Sequence, residues 1–240
     1  MKAVETHELT KSYGDLTALD GLSLDVERGE VFGLLGPNGA GKSTCIEVLT
    51  GQTKPTSGTA SVLGVDPVED PVGVRREIGV LPEREDPPSF MTPREYFEFV
   101  GRVRDFDVDG AAERWGASLG FAGKLDTLNI DLSRGQKQKV MLAQAFVHEP
   151  ELVFIDEPLT NLDPVVQERV KSLVADYNDD GGTVFLSTHD IHVAEELCTR
   201  VGIIQDGVLV ATREVGDLDG DGRLIDEFLD AVEHEVDPRG

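Results

Sequence analysis

The stretch Gly36-Pro37-Asn38-Gly39-Ala40-Gly41-Lys42-Ser43-Thr44 decides how this chain is read. A glycine, four further residues and then glycine, lysine and serine follow the spacing of a phosphate-binding loop. In such a loop, backbone N–H groups and a helix N-terminus surround the β-phosphate, the lysine reaches the β and γ oxygens, and the serine hydroxyl ligates Mg²⁺. The glycines allow positive φ and a close approach of backbone to phosphate. The stretch therefore predicts a nucleotide site.

The flanks of the loop supply the context that this mechanism requires. Residues 31–35 read as a buried strand, and residues 44–50 read as a short helix that Gly51 ends. Strand, loop and helix in this order favour a phosphate-binding loop over the alternative, a glycine-rich surface turn.

Length and composition bound the class of protein. The 240 residues suffice for one large domain, or for a core with an inserted subdomain. No apolar run approaches the roughly 18 residues of a membrane span, and the N-terminus lacks the pattern of a signal peptide, so we expect a protein that is neither secreted nor membrane-spanning. Cys45 and Cys198 lack metal-ligand spacing and indicate buried thiols in a reducing compartment; for Cys45 the alternative is a thiol whose pKa is lowered by a helix N-terminus.

The net charge of −24 is the unusual feature of the composition. A field of this sign repels nucleic-acid phosphates, so we expect no DNA or RNA partner. Self-repulsion also destabilises the compact state, and we hypothesise adaptation to a high-salt cytoplasm, where screening shortens the reach of each charge to about 3 Å at 1 M salt. We expect the melting temperature to rise as KCl is added. A protein that is already maximally stable in dilute buffer would contradict this hypothesis.

Residues 151–157 form the second informative stretch. Four apolar residues predict a strand buried on both faces, and the strand ends in Asp156 and Glu157. Charge at a strand end is costly to bury unless it is paired, and the expected partner is the Mg²⁺ beside Ser43. We expect Asp156 to hold the metal through water and Glu157 to polarise the attacking water as general base. The alternative, a solvated strand end, is disfavoured by the phosphate-binding loop in the same chain.

Two further side chains are candidates for nucleotide contacts. Residues 183–187 read as a core strand, and His189 follows it at a position that favours contact with the γ-phosphate over a purely structural role. Tyr13 precedes the loop. An exposed aromatic there can stack on a purine, whereas a half-buried strand residue is the commoner outcome for a lone tyrosine.

The order of the predicted elements indicates the architecture. Alternating strands and helices predict an α/β fold with a mainly parallel sheet and right-handed crossovers. Residues 4–12 and 22–26 predict strands of a small sheet ahead of the loop. Residues 84–148 read as mostly helical, with a capping box at Thr92, and residues 214–240 read as an acidic terminal helix and tail.

These stretches, in this order, resemble the ATP-binding subunit of ABC transporters over most of the chain. Leu132-Ser133-Arg134-Gly135-Gln136 is similar to the family's signature sequence, which other P-loop ATPases and kinases lack. A serine hydroxyl and glycine amides at a helix N-terminus make a second anion site. In the family, this site closes on the γ-phosphate of ATP held by the opposite subunit. The resemblance therefore implies a head-to-tail dimer around two ATP molecules, formed with an identical or a different ATP-binding subunit.

The resemblance also implies a fold and a domain division. The fold is a P-loop NTPase (RecA-like) core with an N-terminal antiparallel β subdomain and an inserted helical subdomain. Residues 1–240 would form a single ABC ATPase domain: a nucleotide-binding core over residues 1–83 and 149–213, a helical signature subdomain over 84–148, and the tail over 214–240.

Roles for single residues follow from the matched motifs. The resemblance implies Glu157 as catalytic base, His189 as switch histidine, Tyr13 as the aromatic that stacks on adenine, and Asp163 as the D-loop aspartate. Glu83 stands where the family's Q-loop most commonly has glutamine. A carboxylate ligates Mg²⁺ but cannot donate a hydrogen bond, so the implied metal ligands are Ser43, Glu83 and Asp156.

The implied function is hydrolysis of ATP, with Mg²⁺, to drive a transmembrane permease on another chain. The protein would then be cytoplasmic and peripheral on the inner face of the cell membrane. Both Leu81-Pro82-Glu83 and Leu132-Ser133-Arg134-Gly135 are similar to subunits of exporter type, which favours export. Phe90 and Met91 are candidates for the groove that receives a permease helix, against ordinary packing of the insert. The alternatives are a soluble ABC-type ATPase in assembly or remodelling, and a non-catalytic nucleotide-gated module; a kinase would leave the signature without a purpose.

Overall fold

The computed structural model describes residues 1–83, 86–159 and 164–218, together with Leu224 and Phe228. The strands in these ranges are β1 (Lys2–Tyr13), β2 (Leu16–Leu22), β3 (Asp25–Glu27), β4 (Val31–Leu35), β5 (Ser57–Val62), β6 (Ile78–Leu81), β7 (Leu152–Asp156), β8 (Thr183–Thr188), β9 (Arg200–Gln205) and β10 (Val208–Glu214). The helices are α1 (Lys42–Leu49), α2 (Pro71–Glu77), α3 (Pro93–Arg104), α4 (Ala111–Leu119), α5 (Arg134–Phe146), α6 (Pro164–Asp179) and α7 (Ile191–Leu197). No helix in the described ranges combines the length and the apolar character needed to cross a bilayer.

A mixed sheet of the order β10-β9-β4-β8-β7-β6 forms the centre of the fold. All its neighbouring strands are parallel except β9 and β10, which confirms the mainly parallel α/β prediction. Strands β4 and β8 are buried along their whole length, as expected for strands covered on both faces. Because parallel strands end at the same edge, the residues that follow β4, β6, β7 and β8 come together there.

A second, antiparallel sheet forms from β2, β1 and β3, with β5 also paired to β1. In the β1–β2 ladder, Lys11 lies opposite Leu19 and Ser12 lies opposite Thr17, so Ala18 is an extra, bulged residue. A Cβ added at Gly41 would lie only 2.3 Å from the Ala18 carbonyl oxygen. The bulge therefore brings this sheet directly against the glycine-rich loop.

The helical segment after β6 packs on the central sheet. The predicted capping box is present at the start of α3, where Thr92 and Glu95 exchange side-chain and backbone hydrogen bonds. Phe97 of α3, Phe146 of α5 and Val153 of β7 belong to one hydrophobic cluster. Helix and sheet residues thus share a core, and the division of the chain at residues 84 and 148 stays a prediction.

A polar joint between Arg104 and His148 ties this helical segment to the sheet. The Arg104 guanidinium at the end of α3 donates to the Arg76 and Ile78 carbonyl oxygens, at 2.9 Å each, and lies 2.9 Å from His148 Nε2. Burial, together with the nearby Arg104 charge, lowers the pKa of His148 to about 4. The histidine is therefore neutral at pH 7, and Arg104 fixes the start of β6 to the end of α3.

The predicted terminal helix lies largely outside the described residues. Leu224 is buried and Phe228 packs against the larger hydrophobic cluster, as a docked apolar face would require. Residues 219–223, 225–227 and 229–240 of the tail lie outside the described ranges.

Candidate nucleotide-binding site

The glycine-rich loop connects β4 to α1 and has the backbone that its glycines permit. Gly39 and Gly41 have φ values of 87° and 105°, a region that residues with a Cβ rarely adopt. At Gly36, an added Cβ would lie 2.2 Å from the carbonyl oxygen of Ile204. The first and last glycines of the motif are therefore required by sterics before any ligand is considered.

The side chain of Lys42, the first residue of α1, is buried against the glycine-rich loop. Its Nζ donates to the carbonyl oxygens of Gly36 and Pro37, at 2.8 and 3.1 Å, and lies 3.5 Å from Glu157 Oε1. Only 6% of the side chain is exposed. A buried ammonium group surrounded by loop carbonyls and one carboxylate is suited to bind phosphate oxygens at the loop.

The two predicted carboxylates lie at the carboxyl end of β7, as the sequence indicates. The Ser187 hydroxyl of β8 donates to Asp156 Oδ1. Glu157 has φ 53°, a left-handed conformation that is rare for a residue with a side chain, and its backbone N–H donates to the Ser187 carbonyl at 3.1 Å. Glu157 Oε1 lies 2.9 Å from His189 Nδ1. The strained backbone thus directs the Glu157 carboxylate toward both His189 and Lys42.

A cleft of about 730 Å³ joins most of the predicted site residues. Its lining consists of the end of the β1–β2 hairpin, the glycine-rich loop and the edge of the central sheet: Tyr13, Leu16, Ala18, Asn38, Gly39, Gly41, Lys42, Ser43, Thr44, Glu83, Glu157 and His189. Gly36, Pro37 and Ala40 belong to the loop but do not line the cleft. Leu16 and Ala18 also line the cleft, although the sequence analysis did not identify them. The feature that could have indicated them is the tight hairpin that places β2 beside Tyr13.

Tyr13 lies at the mouth of this cleft. It ends β1, and 46% of the residue is exposed, so it is both a strand residue and an accessible aromatic. This position allows stacking on a purine, and the stacking role of Tyr13 stays a prediction.

The predicted metal ligands supply oxygen atoms on one side of the cleft. Ser43 and Glu83 line the cleft itself, while Asp156 and Glu83 both line an adjoining cavity of about 40 Å³. Among the described residues, no group of three or more histidine, cysteine, aspartate or glutamate side chains is arranged to hold a metal. Mg²⁺ commonly binds through one or two carboxylates together with substrate phosphates, so this oxygen donor set fits Mg²⁺ that arrives with a nucleotide.

The signature residues lie outside the cleft. Ser133 is the exposed N-cap of α5, where its hydroxyl accepts from the Gln136 N–H at 3.3 Å and the Gln136 side chain accepts from the Ser133 N–H at 2.9 Å. Ser133, Arg134, Gly135 and Gln136 are absent from the residues that line the cleft. Asp163, predicted in the D-loop, lies outside the described residues.

The alternative of a lowered thiol pKa at Cys45 is wrong. The side chain is completely buried, and burial raises the pKa of the thiol to about 12. Desolvation outweighs the favourable field of the helix N-terminus because the charged thiolate has no access to water. The prediction that Cys45 and Cys198 are buried thiols is confirmed for both.

Comparisons with known proteins identify the family. A family model described as ABC transporter matches residues 19–160, which is more than half of this chain. The chain belongs to the ABC transporter family. Nod factor export ATP-binding protein I of Rhizobium meliloti is 39% identical to this ABC protein over 216 residues, which cover 87% of this chain and 63% of that protein. The chain therefore spans less than two thirds of the length of this relative.

Solved structures support the same assignment at the level of fold. An ATP-binding subunit of an ABC transporter superimposes with a TM-score of 0.88 at 27% identity, covering 96% of this chain and 99% of that one. The ATP-binding cassette MJ0796, solved as a dimer in a post-hydrolysis state with ADP and phosphate, gives a TM-score of 0.78 at 25% identity and covers 88% of this chain and 98% of that one. The predicted P-loop NTPase fold is thereby confirmed, and the alternative of an ATPase without a permease gains no support.

Proposed function

We propose that this chain is the ATP-binding and ATP-hydrolysing subunit of an ABC exporter, with Mg²⁺ as its cofactor. The observation that carries the proposal is the cleft that gathers Tyr13, Lys42, Glu157 and His189 around the glycine-rich loop. The Rhizobium relative is named for export, which supports export here.

Each side of the cleft has a distinct part in the proposed reaction. The loop amides and the Lys42 ammonium bind the phosphates, and Tyr13 stacks on the adenine. Water attacks the γ-phosphorus, Glu157 accepts the proton, and ADP leaves; His189, at 2.9 Å from Glu157, holds that carboxylate and contacts the γ-phosphate. Ser43, Glu83 and Asp156 would hold Mg²⁺, which would neutralise part of the phosphate charge.

The proposal includes a partner subunit because the signature residues do not line the cleft of their own chain. The segment from Ser133 to Gln136, which begins with the exposed Ser133, would close on the γ-phosphate of ATP bound to a second ATP-binding subunit, identical or related. The dimeric MJ0796 structure supports such a pairing.

Concentration dependence tests this arrangement. Purified protein should hydrolyse ATP at a rate per chain that rises with protein concentration and then levels off, because each site is completed by a second chain. The rate is measured by phosphate release, with light scattering to follow association. A constant rate per chain across a concentration range in which only monomers are present would contradict the dimer.

A permease on another chain would place the protein on the inner face of the cell membrane, in the cytoplasm. The candidate docking surface surrounds Phe90, which is 75% exposed, and continues to Leu128 and Ile130, which are 43% and 63% exposed. Backbone hydrogen bonds from the Asn129 N–H to Met91 O, at 2.8 Å, and from the Ile130 N–H to Ser89 O, at 3.2 Å, hold the two segments together. An apolar patch on a fixed backbone suits an apolar helix of a partner.

Charging Phe90 tests the docking surface. The F90E variant should lower transport at least about tenfold while ATP hydrolysis by the isolated subunit stays near the wild-type rate, because a buried charge opposes an apolar contact. Transport is measured in vesicles that contain the co-purified permease. The matched control is F99E, since Phe99 is an exposed aromatic of α3 that lies outside this patch. Unchanged transport by F90E would contradict the assignment.

Two parts of the proposal rest on the sequence. They are the division into a core over residues 1–83 and 149–213, an insert over 84–148 and a tail over 214–240, and the adaptation to high salt inferred from the net charge of −24.

A further inference from the structure

Lys11 lies beside the aromatic ring that the proposed function assigns to the nucleobase. Its Nζ is 4.7 Å from the centroid of the Tyr13 ring, within the range of a cation–π contact. The two residues stand two apart on β1, where alternate side chains share a face of the sheet. The bulge at Ala18 belongs to β2, so it does not disturb the alternation along β1.

The Lys11 ammonium group is itself held in place. It donates to the Lys54 carbonyl oxygen at 2.7 Å, in the segment between α1 and β5. The hydroxyl of Tyr13 donates to Glu47 Oε2 of α1 at 3.4 Å. The hydroxyl of the Tyr13 ring is thus bound to α1, the helix that begins in the phosphate-binding loop. The face of the ring is linked through Lys11 to the segment that follows α1.

Tyr13 lines the cleft, whereas Lys11 is not among the lining residues. A cation–π contact occupies one face of the ring, so a stacked base would use the opposite face. A cation on one face also draws π-electron density toward itself, which favours stacking of an electron-rich purine on the other face.

We propose that Lys11 is a positioning residue for the nucleobase, which holds the Tyr13 ring and polarises it for stacking. This inference rests on the proposed function, because it requires that the cleft bind ATP with its base on Tyr13. It adds a residue that acts on the base through Tyr13 and makes no contact with the phosphates.

Binding of ATP and of inorganic tripolyphosphate, each with Mg²⁺, separates a base effect from a phosphate effect. The K11M variant should bind ATP about two- to fivefold more weakly than wild type, the range expected for loss of an accessible cation–π contact. Its affinity for tripolyphosphate should be unchanged, because that ligand has no base. K11R keeps a cation at this position and should restore ATP binding. Calorimetry at fixed high KCl gives both affinities.

Two comparisons make the assignment specific to Tyr13. K54M removes the same charge from a neighbouring exposed side chain while leaving the Lys54 carbonyl in place, and it should bind ATP as wild type does. The Y13A variant should bind ATP about five- to 150-fold more weakly, as expected for loss of a stacked base, and adding K11M to Y13A should cause no further loss.

Each contrary result has a defined meaning. Equal weakening of ATP and tripolyphosphate binding by K11M, or the same loss from K11M with and without Tyr13, would overturn the inference. Wild-type protein that binds tripolyphosphate as tightly as ATP would overturn it as well, but would leave the phosphate loop in place. Wild-type protein that binds neither ligand would refute the proposed function itself.

Discussion

Replacing Glu157 by glutamine should lower the rate of ATP hydrolysis by about 10² to 10⁴, the range expected for loss of a general base. Glutamine keeps the shape of the side chain and the hydrogen bond with His189, but its amide cannot accept the proton of the attacking water. The left-handed backbone at this position, with φ 53°, is no harder for glutamine than for glutamate. ATP binding should therefore persist, and dimers with bound ATP should accumulate. Single-turnover phosphate release and light scattering measure the two effects.

The matched control for Glu157→Gln removes a carboxylate at a distance from the cleft. Glu69 is exposed and does not line the cleft, so Glu69→Gln changes the net charge by the same amount and should leave the hydrolysis rate near that of wild type. Hydrolysis by the Glu157 variant within a factor of about ten of wild type would show that another group takes the proton. A loss of ATP binding in this variant would instead assign Glu157 to binding.

Replacing Ser133 by aspartate should lower the rate of ATP hydrolysis at least about 100-fold without unfolding α5. Aspartate is as good an N-cap as serine, so it keeps the hydrogen bond to the Gln136 N–H that begins the helix. Its negative charge, however, would face the γ-phosphate of the partner's ATP, and like charges at contact distance oppose closure of the dimer. Because Ser133 lies outside the cleft of its own chain, binding of ATP to the monomer should be unchanged.

The control for the Ser133 variant is a second helix cap with the same geometry. Thr92 forms a capping box at the start of α3, so Thr92→Asp introduces the same charge at the same kind of position without facing a nucleotide. Phosphate release and calorimetric ATP binding are compared for both variants. Weakened ATP binding by monomeric Ser133→Asp would place the signature in its own site and contradict the shared one; normal hydrolysis would remove Ser133 from the reaction.

Elements set by local sequence were predicted with close bounds. The proline after Thr92 and the capping box begin α3, and the apolar run after Glu151 gives β7. Residues 84–148 were predicted to be mostly helical, and α3, α4 and α5 lie within them. Two short helices, α2 and α7, were not predicted, because seven residues carry too little periodicity to indicate a helix.

Features that depend on distant contacts were beyond the sequence. The φ of Glu157 is maintained by a hydrogen bond from its N–H to Ser187, which is thirty residues away along the chain. The bulge at Ala18 appears only in the β1–β2 register. The pKa of Cys45 depends on complete burial, which a helix N-terminus alone does not reveal. Local pattern thus located the site residues, whereas tertiary contacts determined their geometry.

The hydrogen bonds of Arg104 make α3 a rigid link between two distant regions of the molecule. One end begins at Thr92, beside the Phe90 patch, and the other end is bonded to the start of the strand that leads toward Glu83. A helix of 12 residues spans about 18 Å and turns by about 100° per residue, so adding one residue would swing one end away from its attachment. Because α3 is attached at its far end to the start of β6, we expect a displacement of its first turn to be carried to the strand that precedes Glu83. The length of α3 should therefore tolerate change less well than the identity of its exposed side chains.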